Sequence, residues 1–326
     1  METIRSVTNT ISEAASSAFQ SSYDVARKGF GEGTNEHYDR ARPSYPAESL
    51  QNIHKSLSPT ALSRPEGLNI IELGSGTGLF SRILLAPPSS EYPTWNIHSL
   101  YAVEPSEGMR TQWTKKYDGL VESGDFDPGR VVNGGEVQTL NGGFTDLSGL
   151  KSRLRERGEE EQWADLVVMA QAWHWAHPDY DAAIKEIASI MKPDGVLVFI
   201  WNNENRDPPY PQDLRTFEMS LEAGTPQQHR GLWEATFEAP SYTANFREER
   251  GDRNIVHWKS VHDDRKRIDR VLSKSYVASR SETEKEDIIA KIKEIQTTDD
   301  GKEWIDREAG TYYQPWWTLV VAMHRK

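Results

Sequence analysis

Leu68-Asn69-Ile70-Ile71-Glu72-Leu73-Gly74-Ser75-Gly76-Thr77-Gly78 runs directly into Leu79-Phe80-Ser81-Arg82-Ile83-Leu84-Leu85. The first six residues are short, mostly apolar and bounded by glycines, which reads as a buried strand; the last seven read as a helix. Gly-rich turns between a first strand and a helix serve several nucleotide-like ligands, so the details of this one decide. Gly74, Gly76 and Gly78 let the backbone approach a ligand closely. Glu72, two residues before the first glycine, suits a ligand carrying a cationic ammonium better than one carrying a pyrophosphate. Gly78 is followed by Leu79 and Phe80, where a Walker loop needs Lys and Ser/Thr. The Gly-x-Gly-x-Gly spacing also departs from the dinucleotide fingerprint of an NAD-dependent oxidoreductase.

Outward from this turn, Leu100-Tyr101-Ala102-Val103-Glu104 is a second buried strand closing on an acid, with a helix from about Ser106 to Tyr117. A carboxylate there accepts both hydroxyls of a ribose, which identifies a nucleoside without naming it, or else caps the following helix. Val131-Val132 reads as a weak third strand entering Asn133-Gly134-Gly135-Glu136. Asp165 to Ala170 reads as the fourth, Asp181 to Met191 as a helix closed by Lys192-Pro193-Asp194-Gly195, and Val196 to Trp201 as the fifth. The alternation predicts an α/β, Rossmann-like, doubly wound and mostly parallel seven-stranded sheet with a helical lid or insertion.

The sequence divides accordingly. Residues 1–35, with Ile4, Val7, Ile11, Ala15 and Phe19 at helical spacing, read as an N-terminal helical lid. Residues 36–201 form the core. Residues 202–312 read as a largely helical acceptor-side insertion with a strand near 255–258, and 313–326 as a final core strand. Within the insertion, Ser281-Glu282-Thr283-Glu284 is a capping-box pattern before a helix carrying Ile288, Ile289, Ile292 and Ile295.

Composition narrows the function. The 326 residues include 11 Trp, 12 Tyr and 9 Phe with 36% hydrophobic content, ample for a packed core. A formal net charge of -12 gives no general pull toward nucleic acid or anionic lipid. Zero cysteines remove disulfides, thiolate metal sites and thiol nucleophiles. No stretch reaches the ~18 apolar residues of a membrane span, and the N-terminus lacks the layout of a secretory signal, so a cytoplasmic location is expected.

Five markers occur in order: Tyr38 with Arg42-Pro43-Ser44-Tyr45-Pro46, Glu72 to Gly78, Glu104-Pro105-Ser106-Glu107-Gly108-Met109, Gln171-Ala172-Trp173-His174-Trp175, and Lys192-Pro193-Asp194-Gly195. Together they resemble the class I SAM-dependent small-molecule methyltransferases, including those akin to trans-aconitate methyltransferase. The resemblance implies S-adenosyl-L-methionine (SAM) as cofactor, with Glu104 on the ribose, Gly74 and Gly76 along the methionyl side, and Met109 against the adenine. It implies an adenine-edge loop at Gly135, Glu136 and Val137, where this chain departs from the usual pattern. Tyr38 and Arg42 resemble an N-terminal gate in which the arginine pairs with the methionyl carboxylate. Glu72, Ser75, Gly78, Pro105 and Gln171 complete the implied cofactor set.

The run Gln171 to Trp175 is expected at the sheet's carboxyl edge, where open α/β folds bind ligands. His174 there is a candidate general base or acceptor-orienting donor, or a histidine that only packs among tryptophans. Trp173, His174 and Trp201 are the expected acceptor pocket. His174 and His177 have no further matched ligand, so no metal is expected. The reading is transfer of a methyl group to a small-molecule acceptor by in-line displacement, with O-methylation of a carboxylate or hydroxyl favoured and no nucleic-acid or membrane partner. The alternatives are a noncatalytic SAM-binding protein or the same fold recruited to another reaction.

Overall fold

A computed structural model describes residues 41–131, 134–207, 212–222, 224–297 and 302–326. The expected lid over residues 1–35 and the gate residue Tyr38 lie outside the described residues. Leu68–Leu73 forms β1 with every residue buried, as expected of a strand with helices on both faces. Ile97–Val103 is β2, Val137–Leu140 is β3, Ala164–Ala170 is β4 and Met191–Glu204 is β5. These five are parallel, in the order β3-β2-β1-β4-β5. Asp252–His262 is β6, Glu303–Asp306 is β7 and Thr311–His324 is β8. β8 lies antiparallel between β5 and β6, and β7 pairs with its start.

The sheet is therefore mixed and eight-stranded, which corrects the expectation of seven mostly parallel strands. β7 is short and largely exposed, so it carries no apolar pattern to betray it. The third strand also moves. Val131 caps the short turn Pro128–Arg130, and β3 begins six residues later. Its half-buried Gln138 and Thr139 suit an edge strand but weaken its hydrophobic signal.

The polarity of alternate strand residues is suppressed because both faces are covered. Ile71, Leu73, Tyr101, Val167, Phe199 and Trp201 enter one core, and Ile70, Leu100, Leu166, Val168, Val198 and Ile200 the other. A third, smaller cluster with Leu214, Val271, Tyr276, Ile288 and Ile292 holds together helices Gln212–Leu221, Asp264–Leu272 and Glu282–Gln296. Ser281 and Glu284 form the expected capping box. Among the described residues, no helix is long and apolar enough to cross a membrane.

Chain order fixes where a ligand fits. From β1 the chain crosses to β2 on one side, and β4 pairs on β1's other side. The connecting loops part between the carboxyl ends of β1 and β4, opening a crevice at this switch point.

Candidate functional site

That crevice is a cavity of about 460 Å³, formed by the glycine turn, the loops after β2, β3 and β4, the end of β5, and the helical layer. Gly74 and Gly78 explain the turn. Both have positive φ, +69° and +80°, which a side chain makes costly. A Cβ on Gly74 would lie 2.7 Å from the Ala172 Cβ. One on Gly78 would lie 2.3 Å from Trp113 Cδ1, so Gly78 is constrained by the helix Glu107–Ser123 and does not line the cavity. That corrects its expected place in the cofactor set. Gly76 differs: at φ +55° its added Cβ would meet only Met109 Sδ, at 3.9 Å.

Glu104 directly follows β2 and braces the turn. Its Oε2 accepts from Gly76 N at 3.0 Å and its Oε1 from Ser106 N at 2.9 Å. Burial raises its carboxyl above the ordinary value, and these two N–H groups oppose the rise. Glu72 is fully buried and accepts from Ser81 Oγ, which in turn accepts from Trp113 Nε1 at 3.3 Å. Burial pushes its carboxyl up to about 8 despite the Ser81 bond. Ser75, Pro105 and Met109 line the same wall.

Gln171 is a non-glycine residue at φ +59°, a conformation that costs energy unless the surroundings enforce it. Its N donates to Ile200 O and its Nε2 to Asn202 O, both at 2.8 Å. Arg42 reaches the cavity from the start of the described chain and donates from Nη2 to Ser273 O at 3.0 Å, linking that segment to the helical layer.

Gly135, Glu136 and Val137 are not at this edge. Leu100 N, in the middle of β2, bonds to Glu136 O, whereas Glu104 N at the carboxyl edge bonds to Leu140 O. Glu136 is occupied by Arg153 Nη2 at 2.7 Å and by Tyr101. The residues expected at the adenine edge thus do not line the cavity; at the far end of β3, Gly143 and Phe144 do. Asn141-Gly142-Gly143 after an alternating segment was the available signal.

Two of the three residues expected in the acceptor pocket likewise lie away from the cavity. Trp173 is fully buried, stacks on Phe199 at 4.7 Å, and donates to Thr236 Oγ1 at 2.8 Å. Trp201 is fully buried against Trp233. Neither lines the cavity; Trp175 and Trp317 do. His174 does line it, accepting on Nδ1 from Trp201 Nε1 at 3.2 Å. Burial first, then the neighbouring Arg42 and His229, pushes its imidazole down to about 3. His177 does not line the cavity.

Another part of the lining was not legible in the sequence. Glu204 at the end of β5 meets Arg270 Nε at 2.8 Å, Arg206 Nη2 at 3.4 Å and Lys274 Nζ at 3.7 Å. Lys274 and Arg206 also each reach Glu218 at 3.1 Å. Burial alone would raise the Glu204 carboxyl, but Lys274, Arg270 and Arg206 hold it well below the ordinary range. Burial pushes Lys274 down, and Glu204 and Glu218 oppose that. The cavity lining therefore has acids at Glu72 and Glu104 and, at the end of β5 and the helical layer, the cations Arg206, Arg270 and Lys274 held in ion pairs with Glu204 and Glu218.

Comparison with known proteins agrees with this geometry. A family model described as a methyltransferase domain matches residues 38–237. An uncharacterised methyltransferase of Mycobacterium bovis is 25% identical over 239 residues, 73% of this chain and 74% of that protein. An uncharacterised methyltransferase of Schizosaccharomyces pombe is 26% identical over 174 residues, 53% of this chain and 52% of that one. In fold, the chain is similar to the structure of a putative type II methyltransferase from Anaeromyxobacter dehalogenans, with a TM-score of 0.52 at 14% identity, covering 86% of this chain and 97% of that one.

Proposed function

Since the chain belongs to the methyltransferase-domain family and is a class I SAM-dependent methyltransferase, we propose that it transfers the methyl group to an oxygen of a small acidic acceptor. The observation carrying this is the polarity of the cavity. Acids stand on the wall that would face the cationic cofactor, and Arg206, Arg270 and Lys274 stand elsewhere in the lining, where three cations share the two carboxylates Glu204 and Glu218. A small carboxylic acid is drawn to those cations and orients an oxygen toward the cofactor.

The residues present fit the cofactor. Gly76 offers a bare Cα toward the cavity, Glu104 is positioned to accept ribose hydroxyls, and Met109 and the Gly143 loop flank the place for adenine. SAM supplies an electrophilic sulfonium methyl. The chain's own work is to align an acceptor lone pair with it and to exclude water.

Label from methyl-labelled SAM, offered with a low-molecular-weight metabolite extract and a panel of di- and tricarboxylic acids, is expected in base-labile methyl esters. Trans-aconitate is the first acid to try, given the motif resemblance. Label found only in amines or phenol ethers would overturn the acidic acceptor.

Glu72 gives a second expected result. A buried carboxyl raised to about 8 holds its proton at neutral pH, and a cation bound beside it favours the ionised form. SAM binding should therefore release a proton near pH 7, and affinity should rise between pH 6 and 8. Calorimetry in two buffers of different ionisation enthalpy checks this. Heats that do not depend on the buffer, or release that survives in Glu72→Gln, would count against Glu72.

A further inference from the structure

Trp201 is fully buried on β5, and its indole N–H is spent on one partner, His174 Nδ1, at 3.2 Å. An indole N–H only donates, so Nδ1 must be the bare nitrogen, and the proton of a neutral ring sits on Nε2. His174 lies on the turn Trp173–Ala176 after β4 and lines the cavity. With Nδ1 turned onto β5, Nε2 is the ring nitrogen left for a ligand. We propose that Trp201 is a positioning residue that fixes this tautomer, and that His174 acts on the acceptor as a hydrogen-bond donor through Nε2–H, not as a base.

The inference rests on the cavity being the methyl-transfer site. Its chemistry suits the acceptor argued above. A carboxylate arrives already deprotonated and needs no base; a donor on one lone pair holds the oxygen so that another points at the methyl. A base, by contrast, needs a nitrogen free to take a proton. Here Nδ1 is covered and Nε2 is filled.

The surroundings keep the ring neutral. Among the described residues, the charged or titratable groups acting on it are Arg42, from the segment before helix Ala47–Ser56, and His229, from the turn Gln228–Arg230. His229 is itself 3.2 Å from Glu222 Oε2. Trp175 packs beside the ring at 5.3 Å. Burial, and after it Arg42 and His229, all work against protonation.

Imidazole 15N shifts of histidine-labelled protein, saturated with S-adenosylhomocysteine and assigned by difference against His174→Gln, test the tautomer. The expected spectrum has Nε2 protonated and Nδ1 bare, unchanged from pH 5.5 to 8.5. In Trp201→Phe the ring keeps its packing partner but loses the bond that favoured the neutral form, so its titration should move up toward that window. Methyl incorporation into the metabolite extract tests the donor. His174→Ala should lose about 10² in rate, on the scale of a lost preorganised donor. His174→Gln, whose amide N–H stands near the place of Nε2–H, should stay within about tenfold of wild type. SAM affinity should change in neither.

A wild-type ring protonated on Nδ1, or titrating between pH 6 and 7, would overturn the proposal. So would His174→Gln as inactive as His174→Ala at equal melting temperature and SAM affinity, since that is the pattern of a base. If wild-type protein transfers no methyl group to any fraction, the functional reading fails while the 15N spectrum still decides the tautomer.

Discussion

Replacing Glu104 by Ala should weaken SAM binding by about tenfold to a hundredfold. Each charge-assisted hydrogen bond lost to a ribose hydroxyl is worth about 1.5 to 3 kcal/mol, and about 1.4 kcal/mol is a factor of ten. The brace seen here adds to that loss, because the same carboxylate takes the N–H groups of Gly76 and Ser106 and holds the turn in its binding shape. Glu104→Gln keeps one acceptor oxygen but sets an NH2 donor against one of those two N–H groups, so it retains only half of the brace and its affinity should fall between those of wild type and Glu104→Ala. Calorimetry with SAM, alongside melting of the ligand-free proteins, checks both. Undiminished affinity in a folded Glu104→Ala protein would remove Glu104 from the site.

The second large effect is on stability. Gly78→Ala places a methyl group 2.3 Å from Trp113 Cδ1 and 2.6 Å from Trp113 Nε1, at φ +80°. The left-handed conformation costs about 1 to 2 kcal/mol for a side-chain-bearing residue and overpacking about 1 to 3 more. That sum is a large part of a typical domain's 5 to 15 kcal/mol margin. The ligand-free melting temperature should drop sharply. Gly76→Ala carries the same left-handed cost at φ +55° but no overpacking, so it should melt below wild type yet above Gly78→Ala, and it should lose SAM affinity because its methyl group enters the space proposed for the cofactor. If both variants melt alike, the division between a packing glycine and a binding glycine is wrong.

The sequence was most readable where one short segment completes its own geometry. Leu68 to Leu85 contains a strand, a turn demanded by glycine conformations and a helix, and all three form as expected. Reading failed where chemistry depends on distant partners. Glu204, Arg206, Glu218, Arg270 and Lys274 look like ordinary surface charges in a polar stretch; only the fold brings them together on one wall. The tryptophans failed for a different reason. In Trp173-His174-Trp175 the turn after β4 sends the first ring into the core and the next two side chains to the cavity, a rotation that residue types do not encode. The polar edge strand β3 was missed because half-burial erases the contrast that marks a strand.

The place of β8 bears on how the molecule comes into being. Residues 311–324 fit between β5 and β6, pairing with both along most of their length. A chain emerging from the ribosome in order finishes β5 more than a hundred residues before its neighbour exists. Until then the apolar edge from Val196 to Trp201 has no ladder partner, and β6 has none at all. Such edges are templates for wrong pairing. The closing step joins segments far apart along the chain, so it is entropically slow. Nascent chains of this protein should be most prone to aggregation, and most in need of a holding chaperone, in the interval before that last insertion.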